Sequence, residues 1–367
     1  MIAASSLLSA SSAGLNSASK VRIALYVDDG SRGNGVLQWA SFVAFSPQTE
    51  FSTITGEEVR NGKLDKVDIL IMPGGASWWQ CPSLGEKGMN AVRDFVRRGG
   101  GYVGTCAGMA CAMNDKERIG LLPYNSNKQL RGGVGIVSVE ISPEGAGILG
   151  IAPGLRAFRY AGGPIVYACE KPIEESSATV LATFKSEVTG KGRAAGGFDY
   201  PAMLLGKYGK GKVVVSSIHP ESWEATDYIT SAMIYAACGV KIAPEMPVKN
   251  PRPWRVGFVS VAIIGHESVN AVLELMRDPD LDVRVVMKQD IVEGALSHLD
   301  YLVIPDGVEF LYKKYLATDI YRNGLKRFMD RGGIVLASGC TVKYIDKHKN
   351  LQCFDTVSNS IKQLLKK

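Results

Sequence analysis

Gly101-Tyr-Val-Gly-Thr-Cys106-Ala-Gly-Met-Ala-Cys111 decides how this chain folds. Gly101–Thr105 reads as a buried strand and Ala107–Met113 as the helix after it. Between them Gly104-Thr105-Cys106-Ala107-Gly108 has the form G-x-C-x-G, the signature of a nucleophile elbow when a strand turns sharply into a helix. Such a turn strains the backbone at its centre, and the flanking glycines leave room where a Cβ would clash. The sulfur then stands at the carboxyl edge of a sheet with the amides of the following helix directed at it, which favours a nucleophilic thiolate.

Outward from the elbow, short apolar runs alternate with longer amphipathic segments, the pattern of a parallel sheet covered by helices. Val21–Tyr26, Val67–Met72 and Lys212–Ser217 read as strands, and Val36–Phe45 and Gly88–Arg98 as helices. The expected architecture is a flavodoxin-like, doubly wound parallel sheet over residues 21–242. A linker with four prolines follows at 243–253, and a smaller α/β domain at 254–367.

That last domain echoes the first. Trp254-Arg-Val-Gly-Phe matches Val21-Arg-Ile-Ala-Leu, Asp300-Tyr-Leu-Val-Ile-Pro305 matches Asp68-Ile-Leu-Ile-Met-Pro73, and Phe328-Met-Asp-Arg-Gly-Gly matches Phe95-Val-Arg-Arg-Gly-Gly. The offsets are 233, 232 and 233 residues, so order and spacing are kept together and an internal duplication is expected. The copy reads as degenerate: Gly339 falls where Cys106 stands, with Cys340 one place later, and Asp306-Gly307 replaces the Gly74-Gly75 pair.

Composition narrows the function classes. The 367 residues carry a net charge of +6 spread without like-charge blocks, so no nucleic-acid groove is expected. The seven cysteines include no C-x-x-C pair, which gives no support to a zinc ribbon or thioredoxin-like site; neither a metal nor a cofactor is expected. No run reaches the roughly 18 apolar residues of a membrane span. Residues 1–20, rich in Ala and Ser, read as a disordered tail or the remnant of a signal peptide, with a slight lean toward export.

A thiolate needs a base, and one of the four histidines ends a strand, in Ser217-Ile-His219-Pro-Glu221. Strand ends of a parallel sheet converge on one edge, so His219 can meet Cys106 and shuttle its proton, with Glu221 orienting the imidazole. His266, His298 and His348 read as surface or helix-end residues. Pro73-Gly74-Gly75 ends a neighbouring strand, and the amides of Gly75 and Ala107 are candidate oxyanion donors, with Gly74 and Gly108 beside them as further candidate substrate-binding residues. Trp78 and Trp79 read as packing at a helix start, or else as the wall of a pocket.

Together, the Gly-Gly turn, the G-x-C-x-G elbow and the late His-Pro-Glu resemble the class I glutamine amidotransferase-like superfamily over roughly 21–240. Tyr102-Val-Gly-Thr-Cys-Ala-Gly and Tyr160-Ala-Gly-Gly-Pro are more narrowly similar to the biotin–protein ligase N-terminal family. The resemblance implies a Cys106-His219-Glu221 triad. Glutaminases of the superfamily carry a glutamine four residues after the nucleophile; Ala110 stands there, which puts glutaminase activity in doubt. Gly190-Lys-Gly-Arg193 is only faintly like a biotin–adenylate loop and reads as a polar loop. With no room for a ligase domain, biotin ligation is not expected. The expected function is a cysteine hydrolase or amidotransferase-like protein acting on an amide or related acyl bond, with a small ligand of amide or carboxylate character. The alternative is a non-catalytic binding or scaffold module that keeps the fold.

Overall fold

The computed structural model describes residues 20–354, apart from 32, 131–132, 172, 191–192, 197, 261–264, 293 and 307–308. Residues 1–19 of the expected tail, Lys191 and Gly192 of the polar loop, and Gly307 lie outside the described residues. In chain order the strands are β1 (Val21–Tyr26), β2 (Thr49–Ile54), β3 (Ile69–Met72), β4 (Gly101–Thr105), β5 (Tyr124–Ser126), β6 (Val134–Ile141), β7 (Gly154–Ala161), β8 (Val166–Ala168), β9 (Ser176–Phe184), β10 (Val188–Gly190), β11 (Arg193–Gly196), β12 (Pro201–Tyr208) and β13 (Gly211–Ser216). After residues 239–253, which hold no helix or strand, come β14 (Trp254–Val259), β15 (Leu281–Val286), β16 (Tyr301–Ile304), β17 (Ile334–Ser338) and β18 (Leu351–Phe354).

The main sheet runs β2-β1-β3-β4-β13-β12-β9-β6-β7. Its first five strands are parallel in the 2-1-3-4-5 order of a flavodoxin-like sheet. β1, β3 and β4 are apolar almost throughout because both faces of the sheet are covered. On one side lie α1 (Gly33–Ala44), α5 (Pro143–Leu149) and α6 (Asp227–Cys238); on the other lie α2 (Gly56–Arg60), α3 (Ser77–Arg97) and α4 (Ala107–Ala112). The remaining four strands form an antiparallel wing that the alternating pattern does not announce. Helix α3 begins well before Gly88, because two helices run together across a kink at Gly85, where φ is +64°.

The second sheet, β15-β14-β16-β17-β18, is all parallel and repeats the 2-1-3-4-5 order. Local devices recur too. Arg22 clamps Asp68 from its backbone amide, Nε and one terminal nitrogen at 2.8, 3.1 and 2.6 Å; Arg255 clamps Asp300 in the same way at 2.9, 3.0 and 2.6 Å. Gly100 and Gly333 each lie against the ring of the preceding phenylalanine, Phe95 or Phe328, where a Cβ would come within 2.3 or 2.5 Å. Helix α7 (His266–Arg277) packs on α1, so one apolar core runs from the first half into the second. Among the described residues no helix is long and apolar enough to cross a membrane.

Candidate functional site

Register assembles the site. β13 lies beside β4 with Ser216 opposite Thr105, and the Cys106 amide donates to the Ser216 carbonyl at 2.7 Å. His219, three residues past that register point, is therefore delivered to the same edge as Cys106. β7 closes the other side: its Arg159 carbonyl accepts from the His219 amide at 2.9 Å, and the Cys106 thiol points at the Ala161 carbonyl, 3.8 Å away.

Cys106 has φ +51° and ψ −103°, a conformation that costs a non-glycine residue about 1–3 kcal/mol and persists only where the surroundings enforce it. The enforcement is visible. A Cβ on Gly108 would lie 2.0 Å from the Met72 carbonyl at the end of β3, and one on Gly104 would lie 2.7 Å from the Gly108 backbone. Tyr102 Oη holds the Gly108 carbonyl at 2.6 Å. Gly108 thus serves the packing of the elbow. Gly74 serves the imidazole, since a Cβ there would come within 2.8 Å of His219 Cε1 and 3.6 Å of Cys106 Cβ.

His219 Nδ1 lies 2.9 Å from Glu221 Oε1, and the Glu221 side chain is entirely buried. The same carboxylate oxygen accepts from Thr105 Oγ1 at 3.2 Å, which in turn accepts from Trp39 Nε1 at 3.2 Å. This Trp39–Thr105–Glu221 chain fixes the carboxylate, and through it the ring orientation and the proton on Nδ1. Nε2 is left to face the thiol. Burial by itself pushes the imidazole down, but the charges of Glu221 and Cys106 outweigh it and raise His219 to about 10. Nε2 is nonetheless buried without a hydrogen-bond partner: the sulfur is near enough to favour the cation but is not in hydrogen-bonding geometry. Catalytic pairs often tighten only around substrate.

A histidine raised by its partners contributes stability that is complete below its unfolded value of about 6.5 and is lost as pH rises through its folded value. Urea unfolding should therefore show the native chain losing more stability between pH 6 and pH 10 than a Glu221→Gln variant, whose imidazole lacks the anion. Equal losses would mean that Glu221 does not hold the imidazolium. Thr105→Val removes the donor to Glu221 and the acceptor of a buried indole N–H, at a cost of about 1–3 kcal/mol. Thr105→Ser should restore both the stability and the pH profile of Cys106 alkylation; if it restores stability alone, Thr105 matters only for packing.

Above the sulfur opens a cleft lined by Gly75, Trp78, Cys106, Ala107, Ala110, Lys116, Arg118 and Gly162, among others. Trp78 is 53% exposed and forms part of this wall, so of its two sequence readings the pocket wall is the one observed. Gly75 and Ala107 both reach the cleft, as the oxyanion reading requires. Sequence reasoning missed Trp39, Thr105 and Arg159. The guanidinium of Arg159 is half-buried on β7; burial pushes it down while Glu221, Cys106 and Asp290 push it back. Its signal was its place immediately before Tyr160-Ala-Gly-Gly-Pro. Among the described residues no cluster of His, Cys, Asp or Glu could hold a metal ion.

A strand end in the second half, at Gly339 after β17, is filled by a carboxylate. Gly339 has φ +56°, close to that of Cys106, but a Cβ there would lie 2.1 Å from the Asp306 carboxyl carbon. Asp306 Oδ1 accepts from the Cys340 amide at 2.9 Å, and the Asp306 amide donates to Ser338 Oγ at 2.9 Å.

Residues 42–116, from α1 through the elbow, match the family model described as biotin-protein ligase, N terminal. The biotin–protein ligase of the fission yeast Schizosaccharomyces pombe is 48% identical over 40 residues; the match spans 11% of this chain and 6% of that protein. Among solved structures, PurLQS from Thermotoga maritima is 15% identical, with a TM-score of 0.43 over 59% of this chain and 98% of its own. A structure described as a glutamine amidotransferase is 23% identical, with a TM-score of 0.34 over 52% of this chain and 87% of its own.

Proposed function

We propose that this relative of the biotin–protein ligase N-terminal family, built on a glutamine amidotransferase-like fold, is a cysteine hydrolase or acyltransferase acting on an amide or related acyl bond. The observation that carries the reading is the convergence of a backbone-strained Cys106 and a Glu221-anchored His219 on one sheet edge beneath an open cleft. Cys106 attacks the carbonyl carbon, and the Gly75 and Ala107 amides take the developing oxyanion. His219 passes a proton from Nε2 to the leaving nitrogen, and the Glu221 carboxylate stabilises the cation meanwhile. Water, or a second nucleophile, then releases the acyl group. Because Ala110 offers no side-chain amide, glutamine is not the expected substrate. The internal repeat belongs to the same proposal, with residues 21–242 as the working unit and 254–367 as its closed copy; the recurring strand order and the twin Arg–Asp clamps support it.

The test is iodoacetamide alkylation of the folded chain with peptide mapping, followed by an amide-substrate screen on the same preparation. Labelling of the buried Cys106 ahead of the more accessible Cys169 and Cys238, and dependent on His219, supports the reading. Labelling no faster than those two defeats it. One observation favours a second reading, a binding module without turnover: His219 Nε2 makes no hydrogen bond to the sulfur. That reading predicts a ligand-protected Cys106 and no product from any amide in the screen.

A further inference from the structure

Behind the wall of the cleft, Cys81 of α3 and Cys111 of α4 meet in the core. Both side chains are fully buried, and their sulfurs are 3.1 Å apart, with the Cys81 thiol donating to Cys111. Cys111 passes its own S–H to Gln80 Oε1 at 3.4 Å. Neither thiol has a part in the chemistry proposed above. Folding has already brought together two sulfurs 30 residues apart in sequence, so joining them requires no further chain ordering.

The two thiols are also unequal. The hydrogen bond that Cys111 can turn toward Cys81, helped by the Arg118 guanidinium, outweighs burial and pushes Cys81 below the usual thiol range; burial pushes Cys111 up. In such a pair the sulfur that ionises more readily attacks the oxidant, and its neighbour gives up its proton only as it resolves the product.

We propose that Cys81 and Cys111 are a reversible dithiol–disulfide pair whose oxidant is a hydroperoxide. The Cys81 thiolate attacks the terminal peroxide oxygen; the O–O bond breaks, Cys81 becomes a sulfenic acid, and the alkoxide or hydroxide leaves and takes a proton from solvent. The Cys111 sulfur then attacks the Cys81 sulfur. The S–S bond forms, the S–O bond breaks, and the departing oxygen carries the Cys111 proton away as water. Two thiols are oxidised and one peroxide is reduced.

The pair is wired to the candidate site. Arg118, beside Cys81, and Ser77, at the start of α3, both line the cleft over Cys106. Gln80 is fully buried, and its Nε2 donates at 3.0 Å to the carbonyl of Pro73, the residue before Gly74-Gly75. Closing the disulfide consumes the S–H that Gln80 Oε1 accepts, so the oxidised pair alters the hydrogen-bond chain that holds the oxyanion turn.

The experiment uses the full chain carrying Cys106→Ser, because Cys106 and Cys111 share a tryptic peptide. The folded protein is treated with hydrogen peroxide, residual thiols are blocked, and the digest is mapped without reduction. The expected product is one linked peptide joining Cys81 to Cys111, lighter than its parts by two hydrogens, reversed by dithiothreitol and absent from a Cys81→Ser variant. Recovery of both residues as blockable thiols after peroxide overturns the proposal, whatever happens to the exposed Cys353. So does a sulfinic acid at either position, or linkage of either to another cysteine. The Cys106→Ser map stands by itself should Cys81→Ser fail to fold, and its outcome is independent of whether Cys106 is a nucleophile.

Discussion

Replacing His219 with alanine is expected to slow alkylation of Cys106 by iodoacetamide, and any turnover, by about 10²–10⁴-fold, the range for losing a positioned acid–base group. The same change should cost about 3–5 kcal/mol of stability, because it strands a carboxylate in the interior without its partner. Glu221 has no exposed side-chain surface; Oε1 would keep only the Thr105 hydroxyl, and Oε2 already has no hydrogen bond. The two effects separate in a double variant. Adding Glu221→Gln to His219→Ala removes the stranded charge, so urea unfolding should recover much of the lost stability while alkylation stays slow. If the double variant is as unstable as the sum of the two single changes, the pair is not electrostatically coupled. If His219→Ala alkylates at the native rate, the imidazole does not serve the thiol.

Gly108→Ala is the second large effect. The new methyl would lie 2.0 Å from the Met72 carbonyl oxygen and 2.8 Å from its carbon, both backbone atoms of a strand hydrogen-bonded between β1 and β4. A flexible side chain could step aside; a central strand cannot, so the expected loss is about 3 kcal/mol or more, with the elbow displaced. Gly147→Ala is the matched control. It lies within helix α5 (Pro143–Leu149), where a Cβ meets nothing within 4 Å, and should gain about 0.4–1 kcal/mol through reduced freedom of the unfolded chain. Melting temperatures that move the same way for both substitutions would contradict the packing described for the elbow.

The parallel half of the fold was legible because buried parallel strands are continuous apolar runs, and Val21–Tyr26, Ile69–Met72 and Gly101–Thr105 have little else to be. The antiparallel wing was not. Val134–Ile141 and Gly154–Ala161 leave Val134, Ile136 and Leu155 mostly exposed, so neither the alternation nor the apolar run that marks a strand is clean there. At the site, Cys106 and His219 could be read because each ends a strand on the edge where parallel strands converge. Trp39 and Thr105 could not, since their contribution is a pair of hydrogen bonds between residues 66 and 116 positions apart, and no local pattern encodes it. Gly108 was legible as a glycine the turn demands, but the residue it makes room for, Met72, emerges only from the register of β3 against β4.

The turn at Gly339 is filled by a side chain of the same molecule. Its amide at Cys340 already holds a carboxylate, and that carboxylate is tethered to the chain by Asp306, so it can never be exchanged. A visitor would have to evict a permanent tenant whose local concentration no free ligand can match. The corresponding turn at Cys106 has Gly74-Gly75 in place of Asp306-Gly307, and so brings no anion of its own. The two strand ends therefore differ in one respect: at Gly339 a tethered carboxylate already takes the next amide, whereas the Gly74-Gly75 turn beside Cys106 carries no side chain that could do so.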